Sequence, residues 1–368
     1  MNREPRPVPE QLPKRPRPVP DLRILRRGPA EVQIGLDPRL AAVVTGLPEP
    51  VAAVLQRLSG RDDVDALLAS AGEHRSELHA ALRALAARGL LEDGARRSAP
   101  VPSRLVGELA TAAMRAAADG FRDDPPARRG LGVAVHGDGR LAVAVACLLA
   151  GAGVGWVHVV ASGSVRPEDT GTGYLPEDVG RRRGAAARTA LARVDAAVRS
   201  TAFRAGRGPD LVVLADSLVH EPARVSALNA SGVPYLNVRM RDGIGIVGPL
   251  VVPGLTSCLL CADLRRCELD PHWPRIAVQL AGQTQLADLA STHATAALAV
   301  GQALDGLRWT RGGAPPPPSG GATLELDLTD AAVRRRVWPA HSACSCGAAE
   351  RCSNVAANTN EELRQSST

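Results

Sequence analysis

Aromatic side chains are nearly missing from this chain, at 2% of 368 residues, and Lys14 is its single lysine. With so few aromatics, the core has to be built from Ala, Val and Leu. The same scarcity removes the stacking platforms that single-stranded nucleic acids need. The net charge of +6 is carried almost wholly by arginine and is spread along the chain. It reads as a basic surface, and no nucleic-acid partner is expected. Long apolar runs are missing too. The most apolar stretch, residues 141–150, falls well short of the roughly 20 residues a membrane-spanning helix needs. The opening residues, MNREPRPVPE, hold no apolar run and do not read as a secretion signal. A cytoplasmic chain that contacts no membrane is the expectation.

What is present suffices for two or three domains, with 45% hydrophobic and 22% charged residues. Residues 1–21 are dominated by Pro and Arg and read as a disordered tail. Residues 22–94 read as a small winged-helix-like α+β domain. It opens with a strand, a Gly28-Pro29 turn and a second strand. A helix is then expected to start at Asp37-Pro38. Further helices are expected over 49–58, 63–71 and 76–88, the last ending at Gly89. Residues 95–130 read as a linker holding one helix over 105–118. Alternation of strand and helix over 131–350 signals an α/β domain, a Rossmann-like and mostly parallel sheet. It includes one late strand over 323–328. Residues 351–368 are polar and read as a second disordered tail.

Two motifs carry chemistry. In the first, an apolar strand ending at Val135 runs into Gly137-Asp138-Gly139-Arg140-Leu141-Ala142, with a helix immediately after. This is the G-x-G-x-x-G/A turn. Gly137 permits the tight turn, Gly139 lets a phosphate approach the backbone, and Ala142 allows close helix–strand packing. The acid expected at the tip of the second strand to hold a ribose is missing, since Ala161, Ser162 and Gly163 stand there. An NAD- or FAD-dependent oxidoreductase therefore lacks its best marker. In the second motif, Cys258-x-x-Cys261 is followed some eighty residues later by Cys344-x-Cys346. Two chelating pairs of thiolates suit a tetrahedral structural zinc. His341 is an alternative ligand. Cys267 and Cys352 read as nucleophiles, alternative ligands or, with no activating base nearby, plain thiols, and Cys147 reads as core.

Together these motifs resemble the ThiF/MoeB/ubiquitin-activating superfamily over residues 131–350. The resemblance implies a Rossmann-like fold that binds Mg-ATP and adenylates the C-terminal carboxylate of a small protein. It places Asp216 at the family's metal- and ATP-associated aspartate and Arg183 where a lysine is usual. Gly137, Gly139, Arg140 and Ala142 fall in the phosphate turn, and a twofold homodimer is implied. The sequence also departs from the family. The acidic pair after the second strand is missing, no arginine stands between Pro167 and Gly180, and the crossover segment has no nucleophilic cysteine. Residues 22–94 resemble PqqD-like peptide-recognition domains, which often bind a leader peptide by adding it to a sheet edge, here near 22–25 or 32–34. A recognition module fused to a ThiF-like domain with a degenerate ATP site resembles the partner protein of azoline-forming cyclodehydratases. That resemblance implies a precursor peptide and a YcaO-type enzyme as partners. The alternative is an active ATP-dependent adenylyltransferase, with Asp216 in a catalytic role.

Overall fold

The computed structural model describes residues 11–20, 22–38, 41–95, 102–119, 124–204, 206–312 and 314–350. The chain divides into two compact units, Met1–Pro126 and Ala127–Thr368. Among the described residues, no helix is long and apolar enough to cross a membrane.

In the first unit, β1 (Pro16–Pro18) is followed by β2 (Ile24–Gly28), β3 (Glu31–Ile34) and β4 (Ala42–Val44). Helices α1 (Glu49–Gln56), α2 (Val64–Ser70) and α3 (Arg75–Ala87) come next, then β5 (Leu91–Asp93) and α4 (Val106–Asp119). Helix α3 turns Leu78, Leu82 and Leu85 into a core shared with Val32, Ile34, Val51 and Leu55. Three features differ from the sequence reading. Residues 42–44 form a strand where a helix was expected, because β-branched Val43 and Val44 pair with Gln33 and Val32. That pairing puts β3 at the centre of the sheet order β2-β3-β4, so 32–34 is no free edge; β2 and β4 are the edges. The Pro/Arg-rich segment is ordered where it is described, since β1 pairs antiparallel with β5. Its backbone bonds run from Val19 N–H to Leu90 O and from Gly94 N–H to Arg15 O. Pro16 and Pro18 occupy the positions between them, where a missing N–H costs the ladder nothing.

The second unit contains β6 (Gly132–His136), α5 (Arg140–Gly151), β7 (Trp156–Val160), α6 (Arg183–Val194), β8 (Leu211–Ala215), α7 (Pro222–Ser231) and β9 (Tyr235–Arg241). The chain continues through β10 (Ile244–Val251), α8 (Leu259–Leu269), α9 (Trp273–Leu280), α10 (Leu289–Trp309), β11 (Ala322–Asp327) and β12 (Ala332–Val337). These strands make one seven-stranded sheet ordered β12-β11-β10-β9-β8-β6-β7. The four strands from β9 to β7 are parallel, and β10 to β12 extend the sheet antiparallel. Period-two alternation divides the core. Val133, Val135, Val213 and Val238 pack with α5 and α10, while Ala134, Val212, Leu214 and Tyr235 pack with α7 and α8. Strand β12 was not anticipated. It is a nearly all-exposed edge carrying Arg334, Arg335 and Arg336, with no apolar period to reveal it.

Candidate functional site

The path from β6 leads outward to β7, and the next strand, β8, lies on the other side of β6. The carboxyl ends of β6 and β8 therefore flank the point where strand order reverses, the usual binding crevice of an open α/β sheet. The glycine turn leaves β6 at this point and Asp216 leaves β8. They meet directly: Gly139 N–H donates to Asp216 Oδ2 at 2.8 Å. A Cβ on Gly137 would stand 2.5 Å from Asp216 Oδ2 and 2.9 Å from Ala142 Cβ. In this chain, glycine is required there by the protein's own carboxylate. Asp216 adopts φ 70°, a left-handed conformation uncommon outside glycine, while its N–H donates to Val238 O at 3.0 Å. Burial raises its carboxyl from the ordinary 3.8 to about 6; the Gly139 and Ala142 N–H groups oppose the rise, and Asp138 and Asp169 add to it. A helix N-terminus favours negative charge, and at α5 an internal carboxylate supplies it.

The neighbouring charged groups are also engaged. Asp138 accepts from Ser162 N–H at 2.6 Å and from Ser162 Oγ at 2.9 Å, tying the turn to the end of β7. Arg140 donates from Nε to Glu168 O at 2.7 Å, again from Nη2 to the same oxygen, and from Nη1 to Ala287 O at 3.4 Å. Arg183 is buried, with Nη2 2.8 Å from Asp169 Oδ2 and Nη1 3.0 Å from Ser162 O. The stretch between α9 and α10 reaches this end of the sheet through Leu218 N–H to Gln283 O and Gly282 N–H to Val219 O. The structure thus gathers Gly137, Gly139, Ala142 and Asp216 in direct contact, and places Arg140 and Arg183 in the loop bonds beside them. The sequence reading missed Asp138 and Asp169 as the groups that hold this corner. Asp138's place inside the turn was the available signal, whereas Asp169 looked like an ordinary loop acid.

The four cysteines form a separate group. Helix α8 is capped by Cys258, its first turn presents Cys261, and residues 341–347 bring Cys344 and Cys346 against them. All four Sγ atoms lie within 4.8 Å of one another. Individual separations are 3.9 Å for Cys258–Cys261, 3.7 Å for Cys258–Cys344 and 3.5 Å for Cys261–Cys346. A tetrahedral zinc with Zn–S of about 2.3 Å sets its sulfurs roughly 3.8 Å apart, so the donor set fits such an ion. His341 stands outside the set. Its Nδ1 accepts from Ala343 N–H at 3.1 Å, which leaves Nε2–H to donate to Glu268 Oε1 at 2.8 Å. Cys267 is not in the group, burial pushes the Cys147 thiol up to about 11, and Cys352 lies outside the described residues.

No protein-family model matches the chain, and no curated protein matches it. Solved structures do. E. coli MccB with ATP aligns at a TM-score of 0.67 and 16% identity, covering 90% of this chain and 99% of that one. The microcin C7 biosynthetic enzyme MccB in complex with N-formylated MccA aligns at 0.64 and 15%, with coverage of 90% and 99%. PaaA aligns at 0.63 and 19%, with coverage of 86% and 98%. At these identities the likeness shows the fold. The chain has the ThiF-like fold, which it shares over most of its length with MccB and PaaA.

Proposed function

We propose that this protein binds a ribosomally made precursor peptide through its first unit and presents it to a partner modifying enzyme, with its nucleotide site degenerate. The observation that carries this reading is the state of the glycine turn. The Gly139 N–H is taken by Asp216, Arg140 by backbone carbonyls, and Arg183 by the buried Asp169. Phosphate chemistry depends on positioned cations and free N–H groups. The residues present do not fit Mg-ATP as they stand. The four cysteines fit structural zinc, which would tie residues 341–347 to α8 and supply no reactive position. In the winged-helix-like first unit, the edges β2 and β4 are the places for a leader strand. The structures of MccB with MccA lend support to a peptide partner. A YcaO-type enzyme as the catalyst, a homodimer as the assembly and the cytoplasm as the location complete the proposal.

The second reading, an active adenylyltransferase, is favoured by the strained Asp216 at the switch point and by MccB's structures with ATP and AMPCPP. ATP–pyrophosphate exchange separates the two readings. Purified protein with its precursor peptide is expected to bind the peptide and show no exchange above background. Vigorous peptide-dependent exchange would establish the second reading and discard the first.

A further inference from the structure

On the face of the sheet opposite α5, a small cleft opens between the end of β9, α7 and α8. It is lined by Leu218, His220, Val225, Arg239, Asp263 and Arg266. Leu236, Val238 and Met240 of β9 point into the core beneath α5 and α10, so Asn237 and Arg239 face the other way. Arg239 is only 7% exposed, yet among the described residues its guanidinium makes no hydrogen bond and no ion pair. Burial, with Arg266 and Arg241 nearby, lowers it to about 9, which still leaves it charged at neutral pH.

The nearby acids Asp263 and Glu325 each bond other groups, Asp263 through Oδ1 alone. Asp263 accepts from Arg266 Nη1 at 2.7 Å and from Trp273 Nε1 at 3.2 Å. Glu325 is held by Arg336 at 3.1 Å and by Arg241 at 3.6 Å. Arg266 itself lies over the rings of Trp273 and Trp338. His220 Nε2 meets Asn237 Oδ1 at 2.9 Å, and burial pushes the imidazole down to about 4, so it is neutral. Asn237 is fully buried and its Nδ2 has no partner. Two arginines against one aspartate leave the cleft with one excess positive charge. The Arg239 guanidinium has solvent as its only partner at the mouth of the cleft, and the unmet amide donor of the buried Asn237 adds a cost of its own.

We propose that this cleft is a carboxylate-binding site in which Arg239 takes both oxygens of the ligand. One excess charge matches a monoanion better than a phosphate dianion, and the planar guanidinium fork matches the two oxygens of a carboxylate. The cleft opens on the α7–α8 face of the sheet, and its reading does not depend on the function proposed above. The carboxylate belongs to a free small acid, to a peptide C-terminus or to an Asp or Glu side chain, and the test distinguishes these sources.

The melting temperature of the full chain is compared in sodium acetate, sodium phosphate and sodium chloride at equal ionic strength. Acetate is expected to raise it above chloride, and phosphate to raise it less than acetate. Arg239→Met is expected to lose the acetate response and, in chloride, to melt above the wild type, a gain that a purely structural arginine would not give. Arg239→Lys keeps the charge without the fork and is expected to lose most of the response, which provides a reading if the methionine variant does not fold. N-acetylated, C-amidated glutamate and N-acetyl-alanine then separate side-chain from C-terminal carboxylates, with acetate standing for the free acid. The proposal is overturned by a wild type indifferent to acetate, by an equal response in Arg239→Met, or by a stronger effect of phosphate.

Discussion

The second unit holds two clusters that the sequence marks with equal clarity, and their contents differ. The cysteine cluster brings four donor atoms within 4.8 Å of one another, from two separate stretches of chain. The glycine turn has its donors facing a carboxylate from its own chain. A motif records where backbone can approach a ligand. It does not record whether an internal group has taken the ligand's position.

The largest effect that tests this contrast is expected at the cysteines. On the proposed zinc reading, Cys261→Ser removes one of four ligands, so metal content should fall and unfolding free energy drop by on the order of 5 kcal/mol. Metal analysis beside a thermal melt reads both; full metal retention would break the comparison. Arg183→Ala comes next, because it strands the buried Asp169 without its cation. A loss of about 3–4 kcal/mol is expected in urea unfolding, and Arg183→Lys should recover only part of it.

Asp216→Asn is third, and its sign is the reverse. The carboxyl rises from 3.8 unfolded to about 6 folded, so its contribution to stability is fully present below about pH 4 and lost as pH climbs through 6. That difference amounts to about 3 kcal/mol. Asparagine accepts the Gly139 N–H without carrying charge and tolerates the positive φ. The variant should therefore be more stable than the wild type above pH 6 and lack its decline between pH 4 and 6, as followed by urea unfolding across that range. Equal pH profiles would show that the turn is not occupied by an ionisable carboxylate. The smallest effect belongs to Cys267→Ser, which should leave metal content unchanged and stability within about 0.5 kcal/mol.

How much of this was legible depended on the distance over which the information acts. The strand, glycine turn and helix from residues 132 to 151 are local, with period-two apolar positions passing into a helix, and the sequence displayed them. The cysteine pairs were legible because chelation imposes a spacing of its own. Residues 42–44 misled because Pro38 and the alanines of LAAVV suit a helix, while the pairing of Val43 and Val44 with β3 is a tertiary choice. The Gly139–Asp216 bond joins residues 77 apart, so only the fold reveals it. Arg239 was invisible for a related reason, since what distinguishes it is the acids around it being bound elsewhere.

The pairing of β1 with β5 has a consequence of its own. It ties residues 15–19 to residues 90–94, so the strands and helices between them are closed off by two segments far apart in sequence. The closing pair is distant in sequence, and loop-closure entropy opposes it until the helices between have drawn the two segments together. On the ribosome, this unit cannot lock until Asp93 has emerged. Its first-made strand is therefore among the last pieces to find its place.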